Sequence, residues 1–115
     1  MNILQVVPEL QTGGIETGTI DLAKELIGQG HKAVVISNGG KLTKDLASCG
    51  GIHYTLPVHD KFPLTIIKIV NKIREVIKKE KIDLVHARSR APAISAFFAA
   101  YLEKVPFVTT CHGHY

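Results

Sequence analysis

Apolar positions along this chain fall into five short continuous runs, separated by longer stretches in which apolar residues recur at helical spacing. The runs are Asn2–Val7, Lys32–Ser37, Ile52–Leu56, Asp83–Ala87 and Phe107–Thr110. Ala33-Val34-Val35-Ile36 is apolar at every position instead of alternate ones, as a strand covered on both faces requires. Between the runs, Ile15, Thr19, Leu22, Ala23, Leu26 and Ile27 form one stripe on a helix that Gly28 weakens and Gly30 ends. Leu42, Leu46 and Cys49 mark a shorter helix closed by Gly50-Gly51, and Ile66, Ile69, Val70, Ile73, Val76 and Ile77 mark a longer one. A fourth helix, from about Ala91 to Leu102, is small and apolar all round, which predicts that it is covered on most sides. Strands alternating with helices over short loops predict an α/β, Rossmann-like three-layer domain with a parallel sheet of about five strands.

A length of 115 residues with 45% hydrophobic content supports one modest core and one domain. No apolar run approaches the roughly 20 residues that cross a bilayer. Met1 to Val7 has no basic start and breaks at Pro8, which is not the pattern of a signal peptide, so a cytoplasmic location is expected. Cys49 and Cys111 lack metal-ligand spacing and read as small hydrophobes. The net charge of +4 raises the question of anionic partners without answering it.

Ligands of an open parallel sheet bind beyond the carboxyl ends of its strands. There the sequence places Gly13 and Gly14, Asn38-Gly39-Gly40, His86-Ala87-Arg88-Ser89-Arg90 and His112-Gly113-His114. A Gly-Gly pair ahead of a helix lets backbone amides approach an anion closely, so Pro8 to Gly14 reads as a phosphate or nucleotide-sugar loop, or simply as a helix start. The loop is not G-x-G-x-x-G, and the second strand ends in Ser37-Asn38 with no acidic residue for a ribose, so the dinucleotide fingerprint fails in both halves. No Gly-Lys-Ser/Thr follows the glycines, which excludes a P-loop. The first and last strands are expected to be neighbours, bringing the Gly13-Gly14 amides and His112 to one cleft.

Gly13-Gly14-Ile15-Glu16, Gly30-His31, Asp83-Leu84-Val85-His86 and Thr109-Thr110-Cys111-His112-Gly113, in that order, resemble the N-terminal domain of the retaining two-domain glycosyltransferases called group 1 or family 4, which have the GT-B fold. His86-Ala87-Arg88-Ser89-Arg90-Ala91-Pro92 is similar to a bacterial subgroup of envelope polysaccharide or lipopolysaccharide core assembly. The resemblance implies that residues 1–115 are a partial, acceptor-side domain and that the donor-binding C-terminal domain is absent, possessed by another chain or lost. It implies that Gly13 and Gly14 face the donor diphosphate and that His112 lines the donor sugar as the catalytic-site histidine. No cofactor is implied, the nucleotide-sugar being a co-substrate, and no metal, since no Asp-x-Asp pair is present. Arg88 stands where many members of the family place a histidine; a guanidinium there suits a charged acceptor, and Arg90 beside it likewise, or both serve structural salt bridges.

Other readings stand beside these. His112 and His114 invite a metal, but no third ligand is near in sequence. His86 reads either as an acceptor contact or as part of a polar cluster, and Glu16 either as a ligand or as a carboxylate complementing the helix dipole. From Lys61 to Lys81 seven basic residues face two acids, with Lys68, Lys72, Glu75 and Lys79 on one stripe; this is a solvated face or a peripheral contact with anionic membrane. Nucleic acid is disfavoured because no aromatics interleave with the basic residues. The function expected is sugar transfer from a nucleotide-sugar to an envelope glycan or glycolipid once a C-terminal domain completes the site, the chain alone being inactive. The alternatives are a non-catalytic binding or scaffold remnant, and an epimerase of the same fold.

Overall fold

A computed structural model of the chain describes residues 1–7, 14–40, 43–56, 63–88 and 90–110. Nine elements follow one another in these residues: β1 (Asn2–Val6), α1 (Gly14–Gly28), β2 (Lys32–Ser37), α2 (Thr43–Ser48), β3 (Ile52–Thr55), α3 (Pro63–Lys79), β4 (Leu84–Arg88), α4 (Arg90–Leu102) and β5 (Phe107–Thr110). All five strands pair in parallel in the order β3-β2-β1-β4-β5, which is the Rossmann-like α/β sheet that the apolar runs predict.

Period-two alternation sorts the strand side chains onto two faces. Leu4, Val6, Val34, Ile36, Val85 and Ala87 face α3 and α4, where they pack on Ile69, Ile73, Ile77, Ala96, Ala99 and Ala100. Ala33 and Val35 face the other way, onto Ile20 and Ala23 of α1 and Leu46 of α2. The central strands are therefore covered on both sides, and that is why β2 is apolar at four successive positions. Ile73 is fully buried at the centre of the α3 face, the kind of position where truncation to alanine costs about 2–5 kcal/mol.

Helix ends follow local chemistry. Pro63 opens α3, where a missing N–H is harmless, and Gly30 at φ 87° ends α1 while the His31 N–H closes onto the Leu26 carbonyl at 2.9 Å. At the amino ends of the strands, Glu80 is buried and binds Lys32 Nζ at 2.5 Å and the Tyr54 hydroxyl. Glu80 thus belongs to the frame and not to the solvated face that its place in a charged run suggests. Glu103 joins α4 to α3 through Arg74 Nε at 2.7 Å and Lys78 Nζ at 3.7 Å.

Two expectations are corrected. The fourth helix is not covered on most sides: Ala96, Ala99 and Ala100 bury the narrow stripe, while Ile94, Phe97, Phe98, Tyr101 and Leu102 stay exposed, Tyr101 at 70%. Three small residues at i, i+3 and i+4 let the helix lie close to β4, and the large side chains consequently project from the opposite flank. The first and last strands are also not neighbours, because β4 lies between β1 and β5. Their ends stand two strand spacings apart, about 10 Å. Among the described residues, no helix is long and apolar enough to cross a membrane.

Candidate functional site

The strand order reverses beside β1. The chain first moves outward through β2 and β3, then returns to the other side of β1 for β4 and β5. Connections diverge at such a point, and a crevice opens beyond the carboxyl ends of β1 and β4. α1 starts at Gly14 and α4 at Arg90 on this same edge, so both helix N-termini lie there.

Inside the apolar run Ile3-Leu4-Gln5-Val6-Val7, Gln5 is fully buried. Desolvating an amide is unfavourable unless both of its ends are bonded. The Gln5 Nε2 donates to the Thr19 carbonyl of α1 at 3.2 Å, and its Oε1 accepts from Arg88 Nε at 3.0 Å. A carbonyl can only accept and a guanidinium can only donate, so the amide has a single satisfactory orientation. Arg88, the last residue of β4, thus reaches over β1 toward α1, where its Nη1 sits 3.5 Å from the position a Cβ on Gly18 would take. Burial pulls the Arg88 pKa below its ordinary value, yet a guanidinium stays cationic at neutral pH. The salt bridge offered as its structural role is not seen among the described residues; its partner is the neutral Gln5.

The neighbouring strand end is tied down separately. Ser37 closes β2, is fully buried, accepts the Gly39 N–H at 3.0 Å and shares a 2.6 Å hydrogen bond with His53 Nε2 of β3. Burial lowers the His53 pKa, so the imidazole is neutral in the ordinary physiological range. This pair fixes the start of the loop after β2, where Gly39 takes φ 101°.

Of the residues singled out from sequence, Arg88 and His86 are placed on β4, on the sheet face that carries Gln5. His86 is half-buried, is the register partner of Gln5, and has an interaction partner of its own. Gly14 and Glu16 lie in the first turn of α1, and Arg90 begins α4. Gly13, Cys111, His112 and His114 lie outside the described residues. Gln5, Thr19, Ser37 and His53 were not read from the sequence as parts of the site. A single polar residue interrupting a doubly covered strand was the available signal for Gln5.

A doubly covered parallel sheet with its crevice beside β1 defines a Rossmann-like domain of the kind that forms the N-terminal part of glycosyltransferases. The chain belongs to Glycosyltransferase Family 4, whose model matches residues 12–115. A glycosyltransferase from Rickettsia africae is 45% identical and superposes with a TM-score of 0.90 over 99% of this chain, which spans 30% of that protein. MurG of Acinetobacter baumannii, 18% identical, shares the fold with a TM-score of 0.75 over 98% of this chain and 36% of its own. Anabaena Alr3699/HepE, solved in complex with UDP, shares it at 21% identity and a TM-score of 0.68, over 95% of this chain and 29% of its own. No curated protein matches the chain.

Proposed function

We propose that this chain forms the acceptor-side wall of a retaining GT-B glycosyltransferase, which moves a sugar from a nucleotide-sugar donor to an envelope glycan or glycolipid. The single observation that carries the reading is 45% identity to the Rickettsia africae glycosyltransferase along 99% of the chain, with a TM-score of 0.90. The complex of the more distant HepE with UDP favours a nucleotide diphosphate-sugar as the donor class.

In this reading the amides of Gly13 and of Gly14, the residue that opens α1, stabilise the charge that builds on the departing diphosphate. His112 lines the donor sugar, and Glu16, His86, Arg88 and Arg90 face the acceptor. A donor-binding domain, on this polypeptide or another, closes the cleft, because positioning of donor against acceptor supplies much of the rate. The acceptor class places the enzyme at the cytoplasmic face of a membrane, with exposed Lys68, Lys72, Lys78 and Lys79 of α3 toward anionic lipid.

The test is a chimera in which this chain replaces the matching segment of the Rickettsia africae glycosyltransferase. A folded chimera that transfers sugar with the donor's anomeric configuration kept is the expected outcome, and an inverted product would remove the retaining mechanism. His112→Ala in that chimera should lower kcat more than it raises KM, since a contact made in the transition state affects turnover first. Robust transfer by the 115 residues alone would remove the requirement for a second domain.

A further inference from the structure

Between them, α3 and α4 leave a groove lined by Ile66, Ile67, Val70, Asn71, Phe98 and Leu102, in which Asn71 is the single polar residue among those described. Phe98, Tyr101 and Leu102 stand at i, i+3 and i+4 and share the outward face of α4, while Phe97 leans on Phe107 of β5 with ring centroids 5.6 Å apart. Ile67 of α3 is exposed beside them. The interior of a helix satisfies its own N–H and C=O groups, so this face offers a partner apolar area and almost nothing to hydrogen-bond. Charge decides the kind of partner. Lys68 and Lys72 follow Ile67 and Asn71 by one residue, which puts them on the flank of α3 turned away from the groove, exposed and, among the described residues, in no salt bridge. Over residues 64–79 and 93–104 six basic residues stand against two acids, Glu75 and Glu103, and Glu103 is already held by Arg74 and Lys78. A second copy of the chain would set lysines against lysines, whereas an anionic surface sets opposite charges against the same rim.

We propose that the face of α3 and α4 centred on Ile67, Phe98, Tyr101 and Leu102 docks on an anionic lipid bilayer, its apolar side chains entering the headgroup boundary and Lys68 and Lys72 reaching lipid phosphates at the rim. Among the described residues no helix is long and apolar enough to cross a membrane, so the contact is interfacial. Tyrosine suits such a boundary because its ring is apolar and its hydroxyl is not, and a lysine stem can lie along apolar surface while its ammonium stays wet. Lys78 and Lys79 add to the attraction from further back: Lys78 Nζ is 3.7 Å from Glu103, and Lys79 lies over the Tyr54 ring on the β3 side. α4 begins at the carboxyl edge of the sheet, so this orientation brings the crevice beside β1 near the bilayer. That the same membrane carries the acceptor rests on the glycosyltransferase reading; the docking itself does not.

The experiment is co-sedimentation of the 115-residue chain with vesicles of equal parts phosphatidylcholine and phosphatidylglycerol, against vesicles of phosphatidylcholine alone. Binding to the mixed vesicles and little to the neutral ones is expected, weakening as salt screens the lysines. Phe98→Ala with Leu102→Ala should reduce the affinity about tenfold by removing apolar area; both side chains are half exposed and alanine favours the helix, so the fold is kept. Lys68→Gln and Lys72→Gln should each reduce it about fivefold. Insertion has its own readout, because the chain contains no tryptophan and Tyr101→Trp therefore introduces a unique reporter. Its emission should shift to the blue on the mixed vesicles and be quenched by brominated acyl chains. Binding without shift or quenching would reduce the contact to charge alone and overturn the docking face, as would equal binding by every folded variant. Failure to bind vesicles, with a sedimenting mass that rises with salt, would give the face to a second copy instead. None of these results bears on whether the chimera transfers sugar, and a chimera that fails while the chain binds vesicles would count against the enzymatic reading alone.

Discussion

Two polar residues with a chain-spanning task, the half-buried His53 and the buried Glu80, titrate away from their ordinary range. His53 is depressed from 6.5 by burial while its Nε2 holds Ser37 at 2.6 Å. Glu80 is depressed from 4.5, first by the hydrogen bond from Lys32 and then by that from Tyr54. In both cases the unfolded chain takes up a proton at a higher pH than the folded one, so stability rises with pH across the interval between the two pKa values. Stability from His53 is complete above 6.5 and is lost as pH falls from there toward its lower folded value; that from Glu80 is complete above 4.5 and is lost further down. Urea midpoints measured from pH 7.5 to 5 should therefore decline, and His53→Gln, which still bonds Ser37 but does not titrate, should flatten the upper part of the curve. An undiminished slope in His53→Gln would assign the decline to another histidine.

At the level of the element, two glycines give substitutions of opposite sign. A Cβ on Gly51 would lie 2.4 Å from Leu46 Cδ1 and 3.1 Å from the Leu46 carbonyl, and Leu46 is fully buried with no room to retreat. Gly51→Ala should destabilise by about 1–3 kcal/mol through overpacking. At Gly28, the last residue of α1, a Cβ meets nothing within 4 Å, so Gly28→Ala should stabilise by about 0.5–1 kcal/mol through helix propensity and a less flexible unfolded chain. Thermal midpoints moving down for the first and up for the second would support both contacts; a rise for Gly51→Ala would contradict the close approach. The same elements show what was legible in the sequence. Short runs rich in apolar residues, continuous in the doubly covered β1 and β2, placed β1 to β5 to within a residue or so, and the stripes on α1 and α3 marked their buried faces. Strand order was not legible in that way, because apolar runs identify strands without specifying their neighbours, and β1 and β5 were wrongly put side by side. Nor was the orientation of α4, in which apolar residues surround the axis and residue size, small against large, decides what packs. The hold of Gln5 on Arg88 joins positions 5 and 88, which no local spacing relates.

On the scale of the whole molecule, the sheet is unevenly covered. β2 and β1 lie between helices on both sides, whereas β5 is an edge strand with Val108 exposed, and α4 turns Phe97, Phe98 and Tyr101 outward. Leu64 and Ile67 of α3 are exposed as well, and Ile67 lines a groove with Val70, Phe98 and Leu102. Single exposed apolar residues are ordinary on a soluble surface, but a contiguous patch of aromatic and aliphatic side chains next to an open strand edge favours association. Positive net charge opposes it only over a Debye length, about 8 Å at physiological salt, so the repulsion weakens where salt is added. The isolated chain should consequently self-associate, with a mass by sedimentation that rises with protein concentration and with ionic strength. Replacing Phe98 and Tyr101 together by lysine removes apolar area from an exposed face and leaves the buried Ala96, Ala99 and Ala100 stripe untouched, so folding stability should change little while the mass returns to that of a monomer. Association that persists in the double variant would locate the contact on the β5 edge, where main-chain groups are indifferent to side chains on α4. A wild-type chain that stays monomeric at all concentrations would show that the patch is too small or too well hydrated to drive association.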